Sequence, residues 1–222
     1  MKVVLFGGSG MVGQGVLREC LLDPGVELVV SVGRRSTGQR DDKLRELVLD
    51  DLTDLSGVEE RLHGFDACFF TLGVSSAGMS EAEYRRVTYD LTLAVGATLA
   101  RLNPGLTFVY VSGAGTDSTE RGRSMWARVK GATENGLTRL PFKAVYLFRP
   151  GLIRPMHGIR SKTRLYRVIY AVLWPFLPLI GVLAPNFLTT TENVGRAMLR
   201  LARDGGPNGI LGAREINALA SA

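Results

Sequence analysis

A chain of 222 residues, 45% hydrophobic and 22% charged, has the size and composition of one folded domain with a single substantial core, which excludes a disordered or fibrous polymer. Its net charge of +6 is modest, and the Arg and Lys residues spread over 34–43, 121–130 and 154–167 lack interleaved aromatics or a nucleic-acid module. No nucleic-acid partner is therefore expected; a basic surface around a small anionic ligand is.

The first residues, MKVVLF, open directly into a strand pattern, without a charged region followed by a long apolar region and a small-residue cleavage site. Cys20 and Cys68 lie in apolar runs without a second Cys or a His at ligand spacing, and His63 and His157 are far apart. Buried thiols, no metal and a reducing, cytoplasmic location are expected.

Short β-branched runs then alternate with longer amphipathic stretches. Strands are predicted at Lys2–Phe6, Glu27–Val32, Glu46–Leu49, Ala67–Leu72, Thr107–Ser112 and Ala144–Phe148, most of them apolar throughout, as strands covered on both faces are. Helices are predicted at Met11–Leu22, Ser80–Asn103, Ser124–Leu140 and Glu192–Arg203, with a last strand over Ile210–Ile216. Asp23-Pro24-Gly25 and Asn103-Pro104-Gly105 stop the first two helices, and Ser80 with Glu83 forms a capping-box start. The expected fold is α/β, a Rossmann-type doubly wound parallel sheet formed by one domain, 1–222. Residues 154–185 break the alternation and are read as a small substrate-facing cap, with 186–222 returning to complete the core.

Between the first strand and first helix stands Gly7-Gly8-Ser9-Gly10-Met11-Val12-Gly13. Gly7 permits a tight turn, Gly10 lets the backbone approach a pyrophosphate, and Gly13 lets helix and strand pack closely. A pyrophosphate there meets backbone N–H groups, including those around Ser9, Met11 and Val12, and the positive end of the helix dipole. After the second strand, where an NAD site carries an acid for the ribose, the chain reads Gly33-Arg34-Arg35-Ser36, with no carboxylate before Asp41. Two guanidiniums suit a 2′-phosphate, so NADP(H) is the expected cofactor.

With these residues in place the chain resembles, over nearly its whole length, the extended or atypical branch of the short-chain dehydrogenase/reductase superfamily, the NAD(P)-dependent epimerase/dehydratase-like proteins. FGGSGMVG is similar to that branch's TGxxGxxG loop, with Phe6 in the place of Thr. The resemblance implies that Asp51 of LDDLTD contacts the adenine amino group while Leu52 packs on the ring. Thr71, Leu72 and Gly73 of FFTLGVSSAG would lie along the ribose, and Pro150 and Gly151 of FRPGLIRP would pass the nicotinamide. Ser112 of VYVSGAG would be the active-site hydroxyl.

The superfamily's catalytic Tyr and Lys, four residues apart, fall on SMWARVKGATE. Lys130 is present, to bond the nicotinamide ribose, but Trp126 occupies the tyrosine position. An indole N–H donates a hydrogen bond and is neither acid nor base near neutral pH. Three readings stand. Trp126 leaves a cofactor-binding protein without reductase chemistry; another donor such as Tyr84, Tyr89, Tyr110 or His157 serves; or Ser112 polarises a carbonyl while water or substrate supplies the proton.

Leu165–Ala184 is long and apolar enough for a bilayer span, yet Arg167, Pro175 and Pro178 interrupt it. It is read as cap or subunit interface, with weak membrane contact as the lesser alternative. The resulting expectation is an NADP(H)-dependent oxidoreductase or epimerase-like enzyme acting on a small carbonyl or hydroxyl substrate, as a homodimer. Its rival is a non-catalytic NADPH-binding regulator whose cofactor orders the loops at 74–82 and 113–123 for a partner.

Overall fold

The computed structural model describes residues 1–159, 187–206 and 209–221. The expected cap and the apolar run Leu165–Ala184 fall almost wholly outside them. Seven parallel strands form one sheet in the order β3-β2-β1-β4-β5-β6-β9. They are β1 (Lys2–Phe6), β2 (Leu28–Gly33), β3 (Leu44–Val48), β4 (Ala67–Phe70), β5 (Thr107–Val111), β6 (Ala144–Arg149) and β9 (Gly209–Gly212). A separate parallel pair joins β7 (Leu152–Arg154) to β8 (Leu188–Thr190).

Alternation along β1 shows how the sheet is covered. Val3 and Leu5 enter one core with Val16 and Leu17 of α1 (Met11–Leu22), while Val4 and Phe6 enter the other with Val95 and Leu99 of α3 (Leu91–Leu102). Successive side chains of a strand point to opposite faces, so an all-apolar strand requires helices on both. On the first face α1 packs against α5 (Thr191–Asp204) through glycine: a Cβ at Gly15 would stand 2.5 Å from Thr191 Cβ, and one at Gly195 would stand 2.8 Å from Glu19 Cγ.

The strand order reverses between β1 and β4. From β1 the chain proceeds outward through β2 and β3; it then returns to the other side of β1 at β4 and continues through β5, β6 and β9. Diverging connections leave a crevice at the carboxyl ends of β1 and β4, where open α/β sheets take their ligands. The glycine loop follows the carboxyl end of β1.

Helix Met11–Leu22 forms over the expected residues. The expected helix 80–103 is instead α2 (Glu81–Arg85), a π-helical turn Arg86–Asp90, and α3. Its start carries the expected capping box: Ser80 Oγ accepts from the Glu83 amide at 3.3 Å and Glu83 Oε2 accepts from the Ser80 amide at 2.8 Å. Ser80→Ala removes one of these acceptors and should lower stability by about 1 kcal/mol in urea unfolding.

The C-terminal expectation needs correction. β9 ends at Gly212, and the rest of the expected strand, from Ala213, is helix α6 (Ala213–Ser221). Ala213 and Ile216, three residues apart, are the buried positions, and Glu215 Oε2 accepts from the Gly212 amide at 2.9 Å at the helix start. The apolar residues follow helical spacing, and Ala, Arg, Glu and Leu favour helix. β7 and β8 were not expected, because three residues carry no readable period.

Candidate functional site

Gly7 adopts φ +89, a conformation open to glycine, and a Cβ on it would come within 2.8 Å of the Leu72 amide nitrogen. Its carbonyl accepts from the Gly10 amide at 2.9 Å, closing the turn. A Cβ on Gly13 would stand 2.0 Å from that same carbonyl oxygen, so the first turn of α1 lies directly on the loop. The N-cap, Gly10, has extended backbone and no side chain to bond the first-turn amides. Helix N-termini leave such donors unsatisfied, and their dipole favours an anion. Ser9 is half-buried and its carbonyl accepts from Gln14 Nε2 at 3.1 Å; Met11 and Val12 pack partly against the core.

Beside the loop, the Thr71 amide and hydroxyl both donate to the Phe6 carbonyl, at 2.9 and 2.8 Å. Leu72 is half-buried and Gly73 exposed. Past β2, Arg34 and Arg35 are exposed and make no hydrogen bond or ion pair among the described residues. A carboxylate does reach that loop, Glu46, carried by the neighbouring strand β3, and reading along the sequence to Asp41 could not find it. Glu46 accepts from the Ser36 hydroxyl at 2.7 Å and the Thr37 amide at 2.6 Å. Burial works against this carboxylate, but those bonds outweigh it and hold its pKa below the ordinary value. Both its oxygens are thus taken, one by each donor. Asp51 is exposed and accepts from the Thr53 amide at 2.8 Å and hydroxyl at 2.7 Å, while Leu52 is buried in the second core.

The end of β5 and helix α4 (Met125–Thr138) bring Ser112 and Lys130 together. Lys130 Nζ donates to the Ser112 main-chain carbonyl. Burial pushes this amine down to about 8, with the charge of Glu134 opposing that shift. The Ser112 hydroxyl donates inward, to Glu134 Oε1 at 2.5 Å and more weakly to the Phe148 carbonyl at 3.1 Å. With its one proton so directed, the outward side of Ser112 offers a lone pair and not a donor. Trp126 is half-buried one turn before Lys130, its ring beside Gly115, where a Cβ would stand 3.4 Å away. Pro150 is buried and its carbonyl accepts from the Ala114 amide at 2.8 Å; a Cβ on Gly151 would collide with the Phe187 ring at 2.5 Å.

The other expected proton donors are placed elsewhere. Tyr84 and Tyr110 are buried in the body of the protein, and burial, then Tyr84 and Glu134, push the Tyr110 phenol far up. Tyr89 carries the Arg85 guanidinium 4.0 Å over its ring, and His157 Nε2 lies 2.7 Å from Glu192 Oε2. Nothing in the sequence singles out Glu134 and Arg149, since a Glu mid-helix and an Arg at a strand end are ordinarily solvated charges. Two clefts of about 300 and 220 Å³ lie away from the glycine loop. The first is lined by Asp23 and Arg203 and the second by Thr107 and Lys143, near the amino ends of β5 and β6. Among the described residues no three His, Cys, Asp or Glu side chains group to hold a metal, and no helix is long and apolar enough to cross a membrane.

No family model matches the chain. A mitochondrial protein named fmp52 from Emericella nidulans is 29% identical over 170 residues, 73% of this chain and 70% of that one. Among solved structures, MoeE5 in complex with UDP-glucose and NAD superposes with a TM-score of 0.69 at 19% identity, covering 100% of this chain and 81% of that one. A Saccharomyces cerevisiae short chain dehydrogenase/reductase superposes with a TM-score of 0.65 at 16% identity, covering 99% and 98%. This chain has the Rossmann-like α/β fold of these structures. The comparisons also overturn the cytoplasmic expectation, because fmp52 relatives from Emericella nidulans, Aspergillus oryzae and Aspergillus fumigatus, at 29%, 26% and 28% identity, are all named mitochondrial. Cys20 and Cys68 are fully buried with thiol pKa values pushed up by desolvation, and such inert thiols report no compartment.

Proposed function

We propose that this protein binds NADP(H) in the crevice at the carboxyl ends of β1 and β4 and acts as an oxidoreductase or epimerase/dehydratase-like enzyme on a small carbonyl or hydroxyl substrate. The observation that carries the reading is the start of α1: an uncapped helix N-terminus held against a glycine turn at the point where the strand order reverses. Arg34 and Arg35, exposed and without a partner among the described residues, suit the 2′-phosphate, and Lys130 is the side chain to hold the nicotinamide ribose. Asp51 keeps a carboxylate oxygen free for the adenine amino group, with Leu52 beside it. The nicotinamide supplies the hydride when bound; the protein's part is to bind, orient and exclude water.

In fluorescence titrations Arg34→Ala should raise the Kd for NADPH about 10- to 150-fold, the loss of one charge-assisted contact worth about 1.5–3 kcal/mol, and leave the NADH Kd unchanged. Equal effects on both cofactors would refute the NADP(H) assignment.

A second reading, a non-catalytic NADPH-binding regulator, is favoured by a specific pair of observations. Trp126 brings no titratable proton, and the Ser112 proton points to Glu134. NADPH oxidation against aldehydes, ketones, quinones and UDP-glucose separates the two, and tight NADPH binding with no turnover on any of them would sink the enzyme reading.

A further inference from the structure

Glu134 is 1% exposed and stands one helical turn beyond Lys130 on α4. Arg149, at the end of β6, grips both of its oxygens: Nε lies 3.0 and 3.2 Å from them and Nη2 donates to Oε2. The same Nη2 reaches Ser118 Oγ at 2.5 Å. A buried carboxylate is tolerated when paired and hydrogen-bonded in this way. The Ser112 hydroxyl takes its remaining lone-pair direction, and the Ser112 amide donates to the Phe148 carbonyl at 2.9 Å. Ser112 is therefore held through its amide and its hydroxyl together, and the one polar group it turns toward Lys130 is its carbonyl, which receives Nζ.

We propose that Glu134 is a positioning residue for Lys130. Paired with Arg149, it locks Ser112 so that the main-chain carbonyl receives the Lys130 amine, and its own charge faces that amine from the next turn of the helix. The part of this that concerns NADPH rests on the dinucleotide reading; the coupling between Glu134 and Lys130 does not. The groups to weigh around the amine are Glu134 on its own helix and its partner Arg149 on β6, with the phenol of Tyr110 on β5 near Glu134 and that of Tyr84 on α2 near Tyr110. Glu134 is the one whose charge favours the ammonium.

The sign of the pH effect follows. The amine, already pushed down to about 8, loses its supporting charge in Glu134→Gln, while Arg149 is left unneutralised, so the midpoint falls further. A merely structural glutamate would loosen the protein without moving that midpoint.

The measurement is the pH dependence of Lys130 acetylation by acetic anhydride in the free protein, resolved by mass spectrometry, beside NADPH titrations at the same pH values. Glu134→Gln should lower the midpoint by about one pH unit, the scale of losing one nearby charge in a partly buried site, and Glu134→Asp should return it most of the way. NADPH binding should weaken as pH rises through the midpoint in each protein, and so from a lower pH in Glu134→Gln. If Glu134→Gln does not fold, Ser112→Ala provides the test: it keeps the ion pair and its charge but removes the hydroxyl that locks the carbonyl under Lys130, and the midpoint should fall, by less than in Glu134→Gln. An unmoved midpoint in the folded variant overturns the proposal. A wild-type protein that binds neither NADPH nor NADH overturns the dinucleotide reading instead, and the midpoint still decides the coupling.

Discussion

Gly13→Ala should abolish NADPH binding and lower stability by about 3 kcal/mol or more, as overpacking against backbone does when neither side can yield. The added Cβ would stand 2.0 Å from the Gly7 carbonyl oxygen and 2.8 Å from Thr71 Oγ1, so α1 must lift off the loop. Gly10 provides the contrast. A Cβ there meets the Gly7 oxygen at 3.3 Å, a contact that a shift of a few tenths of an ångström relieves. Gly10→Ala should therefore cost less than about 1 kcal/mol in urea unfolding, yet weaken NADPH binding, because the methyl group occupies the approach to the helix N-terminus. Equal stability losses in the two variants would mean that Gly13 is not the packing glycine. NADPH affinity unchanged in both would remove the phosphate-binding role from this loop.

Arg149→Met should destabilise the protein by about 3–5 kcal/mol, the usual result of removing one partner from a buried ion pair. Methionine keeps much of the apolar volume but leaves Glu134, 1% exposed, with the Ser112 hydroxyl as its remaining donor. The double variant Arg149→Met, Glu134→Gln should recover a large part of that loss, since a neutral pair needs no compensating charge. Urea unfolding of the three variants closes the cycle. A double variant as unstable as the sum of the singles would show that the two side chains do not act on each other.

How much of this was legible varies along the chain. β1, α1 and the glycine loop could be read closely because a strand with four apolar residues in a row, a helical period and spaced glycines follow one another within the first 22 residues. The parallel sheet followed from strands apolar on both faces. The C-terminal segment misled, since GILGAREI is short enough for alternation and helical spacing to compete, and the burial of Ala213 and Ile216 decides for helix. The π-helical turn at Arg86–Asp90 left no mark in a segment otherwise patterned as helix.

Around the glycine loop the amino-acid sequence by itself determined the turn, the helix start and the pair of arginines, because each depends on neighbours a few residues away and on backbone freedom. Trp126, four residues before Lys130, is equally read from the sequence. Only the tertiary structure decided where protons and charges stand. Glu134 and Arg149 are 15 residues apart on α4 and β6, and Glu46 reaches the arginine loop from the adjacent strand. A hydrogen bond across elements depends on distances of a few tenths of an ångström that no local period encodes. The direction of the Ser112 proton, inward to Glu134, is set by that packing alone.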